Sequence, residues 1–150
     1  MQRFSFRLQT IERLRTHEEN RRKEELAEAR RCLIAEEGRL SRLHEQSNVY
    51  QSQLVFSQGE QLDMTDIVLV RTYLEELDRQ IELQERQVEQ AAIEVENRRE
   101  VLVKVSQDRK VLEKLREKRY LDYRREANRE EQIFLDEVAG RSSASERNRL

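Results

Sequence analysis

The stretch that decides the fold is IVLVRTYLEELDRQIELQERQVEQAAIEVENRREVLVKV, residues 67–105. Counted in sevens, its inner positions are Ile67, Val70, Leu74, Leu77, Ile81, Gln84, Val88, Ala91, Val95, Arg98, Leu102 and Val105. All but Gln84 and Arg98 are apolar, and the steps alternate three and four without a slip. Apolar residues at that spacing, with charge at most other positions, are the seam of a coiled coil.

Working outward, a second heptad precedes the first: Leu26, Ala29, Leu33, Glu36, Leu40, Leu43, Ser47, Tyr50 and Leu54. Between the two lies SQGEQLDMT (57–65), with Gly59 and the capping candidates Asp63 and Thr65; it is the one credible break in the body of the chain. One short connection between two long amphipathic helices favours an antiparallel hairpin. Folding about residue 60 or 61 sets Leu54 near Ile67, Ser47 near Leu74, Leu40 near Ile81, Leu33 near Val88 and Leu26 near Val95. Each pair of numbers adds to 121, so two heptads read independently share one register. The expected fold is all-α, a long two-helix antiparallel coiled-coil hairpin. It forms one domain over 1–139, with helix one about 3–56, a loop at 57–65 and helix two about 66–139. Gly140 is expected to end helix two and leave 140–150 as a disordered tail.

Three further segments matter. Phe4, Leu8, Ile11 and Leu14 form a short apolar stripe at helical spacing. The band RTHEENRRKEE (15–25) has no apolar residue, and its helix rests on propensity and i,i+4 pairs. It falls opposite 96–106, which leaves Leu102 and Val105 without apolar partners on helix one. Helix two is also expected to outrun helix one, so that 118–139 projects as a single helix carrying Tyr120, Leu121, Tyr123, Ile133, Phe134, Leu135 and Val138. Apolar side chains on an unpaired helix call for something else to cover them.

Composition agrees with long, thin helices. The 150 residues are 40% charged and 36% hydrophobic, with no Pro, no Trp and three Gly. The net charge of −2 hides an asymmetry. Residues 1–59 carry 11 basic and 9 acidic groups; 60–97 carry 3 and 11; 98–129 carry 12 and 6; the last 21 carry 3 and 5. In a hairpin the turn end is therefore acidic and the end holding the termini is locally basic, which suits partners of different sign.

Chemistry finds little support. His17, His44 and Cys32 fall on flanking or outer heptad positions far apart, whereas a metal or a nucleophile–base pair needs side chains converging on one point. The three glycines are isolated, so no phosphate-binding loop is formed. No catalytic, cofactor-binding or metal-binding residue is expected, and no small-molecule ligand. One cysteine excludes an internal disulfide, no apolar run is long enough to span a membrane, and the N-terminus lacks the features of a secretory signal; the expectation is a cytoplasmic protein. The basic residues of 98–129 are interspersed with acidic ones, and aromatics there are limited to Tyr120 and Tyr123. A solvated coiled-coil face is preferred over nucleic-acid binding. Tyr50 and Tyr73 sit near the turn on opposite helices, either as core or rim of the hairpin or as part of an amphipathic patch that docks a partner.

Several stretches resemble the flagellar export protein FliJ family. FSFRLQTIERLR followed by HEENRRKEELAEARR is similar to the family's opening. NVYQSQL and YLEELDRQIELQ, separated by a short loop, resemble its turn region, and REEQIFLDEVAGR (129–141) resembles its acidic C-terminal motif. The similarity covers the chain to about Arg141. It implies a non-enzymatic stalk component of the flagellar type III export apparatus, similar in shape to the central stalk of rotary ATPases. It further implies binding to the hexameric export ATPase, to the export gate membrane protein and to export chaperones, with no nucleic-acid partner and a monomeric state when free. The implied location is cytoplasmic, and peripheral at the inner face of the cell membrane when docked. Carried onto this chain, the gate-binding surface falls at Leu43, Gln46, Tyr50, Tyr73, Leu77, Gln80 and Gln84, where Gln80 and Gln84 depart from residue types that related sequences can carry. The ATPase-facing residues are Phe4, Leu8, Tyr120, Tyr123, Gln132 and Leu135. A self-associating coiled-coil scaffold, with Leu102 and Val105 paired to a second copy, is the alternative, and injectisome stalk proteins look similar.

Overall fold

The computed structural model describes residues 3–57 and 63–147. Two helices account for almost all of them, α1 (Gln9–Ser57) and α2 (Met64–Arg147). They pack against each other as an all-α hairpin, with no strand among the described residues. The chain divides into two compact bodies, one of Asn20–Lys104 and one of Met1–Glu19 with Val105–Leu150.

In the 20–104 body both heptads are the packed faces. Every seam position from Leu26 to Leu54 and from Ile67 to Leu102 is buried or half-buried. Leu26, Leu77 and Ile81 are its buried apolar side chains, and Leu77 is the most enclosed at 1% exposure. The core is thin because two helices can shield only one stripe of each other. Polar seam residues are satisfied across it: the Gln84 amide donates to the Glu36 backbone carbonyl at 3.0 Å, and Arg98 donates to the Glu25 carboxylate at 3.0 Å. Tyr50 meets Tyr73 with ring centroids 4.6 Å apart. The numbers of these pairs add to between 120 and 123, which brackets the register read from the heptads.

In the second body ion pairs tie the charged α1 band to an α2 face that also carries Val105, Leu112 and Leu115. Arg109 pairs with Glu19, and Arg116 lies 3.4 Å from Glu12. Both pairs add to 128. Side chains on a helix lean toward its N-terminus by about one turn, and in an antiparallel pair the two leans face each other. Long partners whose heads meet between their own layers therefore add to more than the register sum. Glu19 is buried and Arg15 half-buried, so the charged band continues the heptad instead of interrupting it. Val105 is buried at 7% exposure, although the α1 band expected to face it carries no apolar residue. Methylene stems of long charged side chains shield apolar surface while their heads stay wet.

The helix ends differ from expectation in two places. Helix one starts at Gln9 and not near residue 3, because the Gln9 N–H closes a turn on the Phe6 carbonyl at 3.0 Å and the first α-helical bond runs from Glu12 to Leu8. The stripe Phe4, Leu8, Ile11, Leu14 is accordingly not a packed face, and Ile11 and Leu14 are exposed. Helix two does not stop at Gly140 but continues to Arg147. A glycine ends a helix by adopting positive φ, and Gly140 does not; as an interior residue it costs only about 1 kcal/mol of helix propensity. Helix two begins at Met64, where the Asp63 carbonyl accepts from Asp66 and Ile67, and the Asp63 carboxylate accepts from the Thr65 N–H at 3.5 Å. Most of the expected loop (58–62, with Gly59) and the last three residues of the expected tail lie outside the described residues.

Candidate functional site

Within the 20–104 body, the residues assigned to a gate-binding surface separate into two groups. Leu77 and Gln84 lie inside the helix pair, the first enclosed and the second held by Glu36. Leu43 and Tyr50 are half-buried at the seam. Gln46, Tyr73 and Gln80 are exposed, Tyr73 at 42%. The edge-on contact of Tyr50 and Tyr73 ties the two helices together and leaves one face of Tyr73 to solvent. A groove beside it is lined by Tyr50, Leu69, Val70, Thr72, Tyr73, Glu76 and Arg79.

The sequence reading missed how much apolar surface is exposed on the helix segments that flank residues 58–62. Val49, Val55 and Phe56 on α1, and Met64, Val68 and Leu69 on α2, are all more than half exposed, Phe56 at 80%. They sit off both seams, so counting heptads passes over them. A signal was present all the same. From Gln46 to Phe56 no side chain is charged, in a chain that is 40% charged.

In the other body, Phe4 packs its ring against Tyr120 and Tyr123, with centroids 5.3 and 5.4 Å apart. Leu8 is half-buried and lines a shallow cleft with Leu115 and Arg119. Four of the six residues assigned to an ATPase-facing surface thus fall together, by the packing of the non-helical residues 3–8 on α2. Gln132 and Leu135 are separate from that cluster. They lie on an α2 stretch, residues 128–144, in which every side chain is exposed, including Ile133, Phe134, Leu135 and Val138. The uncovered part of α2 therefore starts near residue 128 and not at 118, because residues 3–8 cover the turns around Tyr123.

The charged groups act as helix ties. Arg22, and then Arg98, hold the Glu25 carboxyl below its ordinary value of 4.5, and the Arg99 guanidinium does the same for Glu96. Glu94 and Glu25 raise Arg98, and Glu19 raises Arg109. Each shift comes from an opposite charge at hydrogen-bond distance, and all of these groups keep contact with solvent. Cys32, His17 and His44 are exposed, and among the described residues no three His, Cys, Asp or Glu side chains are grouped to hold a metal ion. Among the described residues no helix is long and apolar enough to cross a membrane.

No curated protein and no solved structure matches the chain. A family model does: the one described as Flagellar FliJ protein matches residues 4–148, nearly the whole length. With an antiparallel helical hairpin beneath that match, the chain belongs to the flagellar FliJ family of flagellar export components.

Proposed function

We propose that the protein is a non-enzymatic stalk that couples the export ATPase ring to the export gate. Membership of the FliJ family over residues 4–148 carries this reading. Two features of the molecule support it. The turn-proximal part of the 20–104 body has a cluster of exposed apolar side chains next to an uncharged stretch, 46–56, in a chain that is 40% charged. The C-terminal part of α2 is uncovered and carries its own apolar residues. Two separate exposed apolar surfaces suit docking to two partners.

In this proposal, Gln46, Tyr50, Tyr73 and Gln80 meet the gate, while Leu77 and Gln84 hold the helices that present them. Phe4, Leu8, Tyr120 and Tyr123 form one patch for the ATPase, and Gln132 and Leu135 extend it along α2. Export chaperones are further partners on the family reading. The protein acts from the cytoplasmic side, docked at the membrane through the gate. It has no chemistry of its own to contribute. Its effect on hydrolysis comes from binding some arrangements of the ring subunits better than others.

The test mixes the full-length protein with its cognate export ATPase and follows hydrolysis and ring assembly. Stimulation with complex formation is the expected result. A folded protein that neither binds nor stimulates would sink the proposal. The scaffold alternative predicts dimers that grow with concentration in sedimentation, whereas the stalk stays monomeric.

A further inference from the structure

The groove near the turn has a charge pattern as well as an apolar one. Asp66, Leu69, Tyr73, Glu76 and Gln80 follow one another at steps of three and four, so they form one ridge along α2. All five are exposed, Leu69 at 69% and Tyr73 at 42%. An apolar centre is thus bracketed by two carboxylates. Asp66 and Glu76 are ten residues apart in a helix, which separates them by about 15 Å.

The nearby cations offset this charge only in part. Arg71 is two residues from both Leu69 and Tyr73, about 200° round the helix from the ridge. Arg79 also lines the groove, 3.7 Å from Glu76, and offsets that carboxylate in part; both side chains are largely solvated, so the pair is weak and either group can exchange its partner for a ligand's charge. On α1, no charge faces the groove from residues 46–56. Residues 60–97 as a whole carry 11 acidic and 3 basic groups, so the wider field has the same sign.

We infer that this ridge binds a basic amphipathic protein segment. Its recognition element is an apolar or aromatic anchor seated against Leu69 and Tyr73, with a Lys or Arg on each side to meet Asp66 and Glu76. The cations are spaced by about 15 Å, which is roughly ten residues of helix or four to five of extended chain. The sign of the ridge argues against the other occupants. An anionic bilayer or a nucleic acid is repelled, and a second copy would bring the same acidic ridge against this one. The inference rests on the reading of the turn end as the gate-docking end and names the chemistry it recognises there.

The test uses the full-length protein and a fluorescein-labelled Leu/Lys amphipathic helical peptide, with a Leu/Glu peptide as its counterpart. Anisotropy should report binding of the Leu/Lys peptide alone, weakening as salt rises. D66N with E76Q should lower its affinity about tenfold and flatten the salt dependence. L69S should lower affinity about tenfold at every salt concentration. E82Q with E89Q removes the same net charge away from the ridge and should change affinity little. Equal binding of the two peptides, or equal loss from the two charge pairs, overturns the inference.

Capture of the gate's cytoplasmic portion separates this failure from failure of the underlying reading. If L69S abolishes capture while D66N with E76Q leaves it intact at all salt, the turn end docks the gate and the proposed chemistry is wrong. If L69S leaves capture unchanged, the docking reading itself falls.

Discussion

Leu77 illustrates how one residue can be mistaken for contact surface. It lies four positions after Tyr73, so a pattern that finds the tyrosine finds the leucine too. At 1% exposure its contacts are all internal. Truncation leaves a cavity in a core with few other buried side chains, so Leu77→Ala should destabilise the fold by about 2–5 kcal/mol. Urea unfolding followed by circular dichroism measures this; a change within experimental error would mean that the helix pair closes without it. Glu25 supports a second prediction at this scale. Its carboxyl is held below 4.5 by Arg22 and Arg98, so the folded state favours the ionised form. That contribution is complete above the ordinary value and is lost as pH falls below 4.5 through the depressed one. The gap between the melting temperatures of wild type and Glu25→Gln should be widest at neutral pH and shrink on acidification. A gap independent of pH would show that the substitution acts through packing.

At the scale of the elements, α1 carries a built-in weakness that can be removed. Gly38 is helical, and a Cβ placed there would meet nothing within 4 Å. Gly38→Ala should therefore stabilise the protein by about 1 kcal/mol, seen as a higher urea midpoint with an unchanged slope. A lower midpoint would mean that the helix bends at this point and uses the glycine. The elements also separate what sequence can reveal from what it cannot. Both seams in the 20–104 body were legible, Gln84 and Glu36 included, because heptad position dictates burial whatever the side chain. The seam through Glu12, Arg15 and Glu19 was not, since apolar counting has nothing to count in a charged band. Phe4 and Leu8 carry helical spacing, but the attraction of Phe4 for Tyr120 and Tyr123 takes them out of the helix, and that is a tertiary effect. Gly140 was read as a stop because stops are commonly glycine, yet one glycine costs a long helix little. In the candidate site the two tyrosines were legible as residues near the turn on opposite helices, but their ring contact was not. The exposed apolar residues around them were not legible either, because no periodicity marks them.

For the whole molecule, the proposal gives the turn-proximal surface and the uncovered end of α2 separate tasks. Testing that division needs substitutions that leave the fold intact. A pair such as Tyr73→Ala with Leu77→Ala does not qualify, since the loss of Leu77 weakens the helix pair that presents every surface. Leu69 is 69% exposed, Phe134 64% and Val138 49%, so polar replacements there remove contact area without opening the core. Leu69→Ser should weaken capture of the gate about tenfold and leave ATPase stimulation near its wild-type level. Phe134→Ser with Val138→Ser should do the reverse. Melting temperatures should remain within a few degrees of wild type in both cases, which excludes unfolding as the cause. If each variant weakens both partners equally while staying folded, the two surfaces act as one, and a stalk with distinct ends is the wrong description. If each affects its own partner, the two exposed apolar surfaces are separate docking sites of independent specificity.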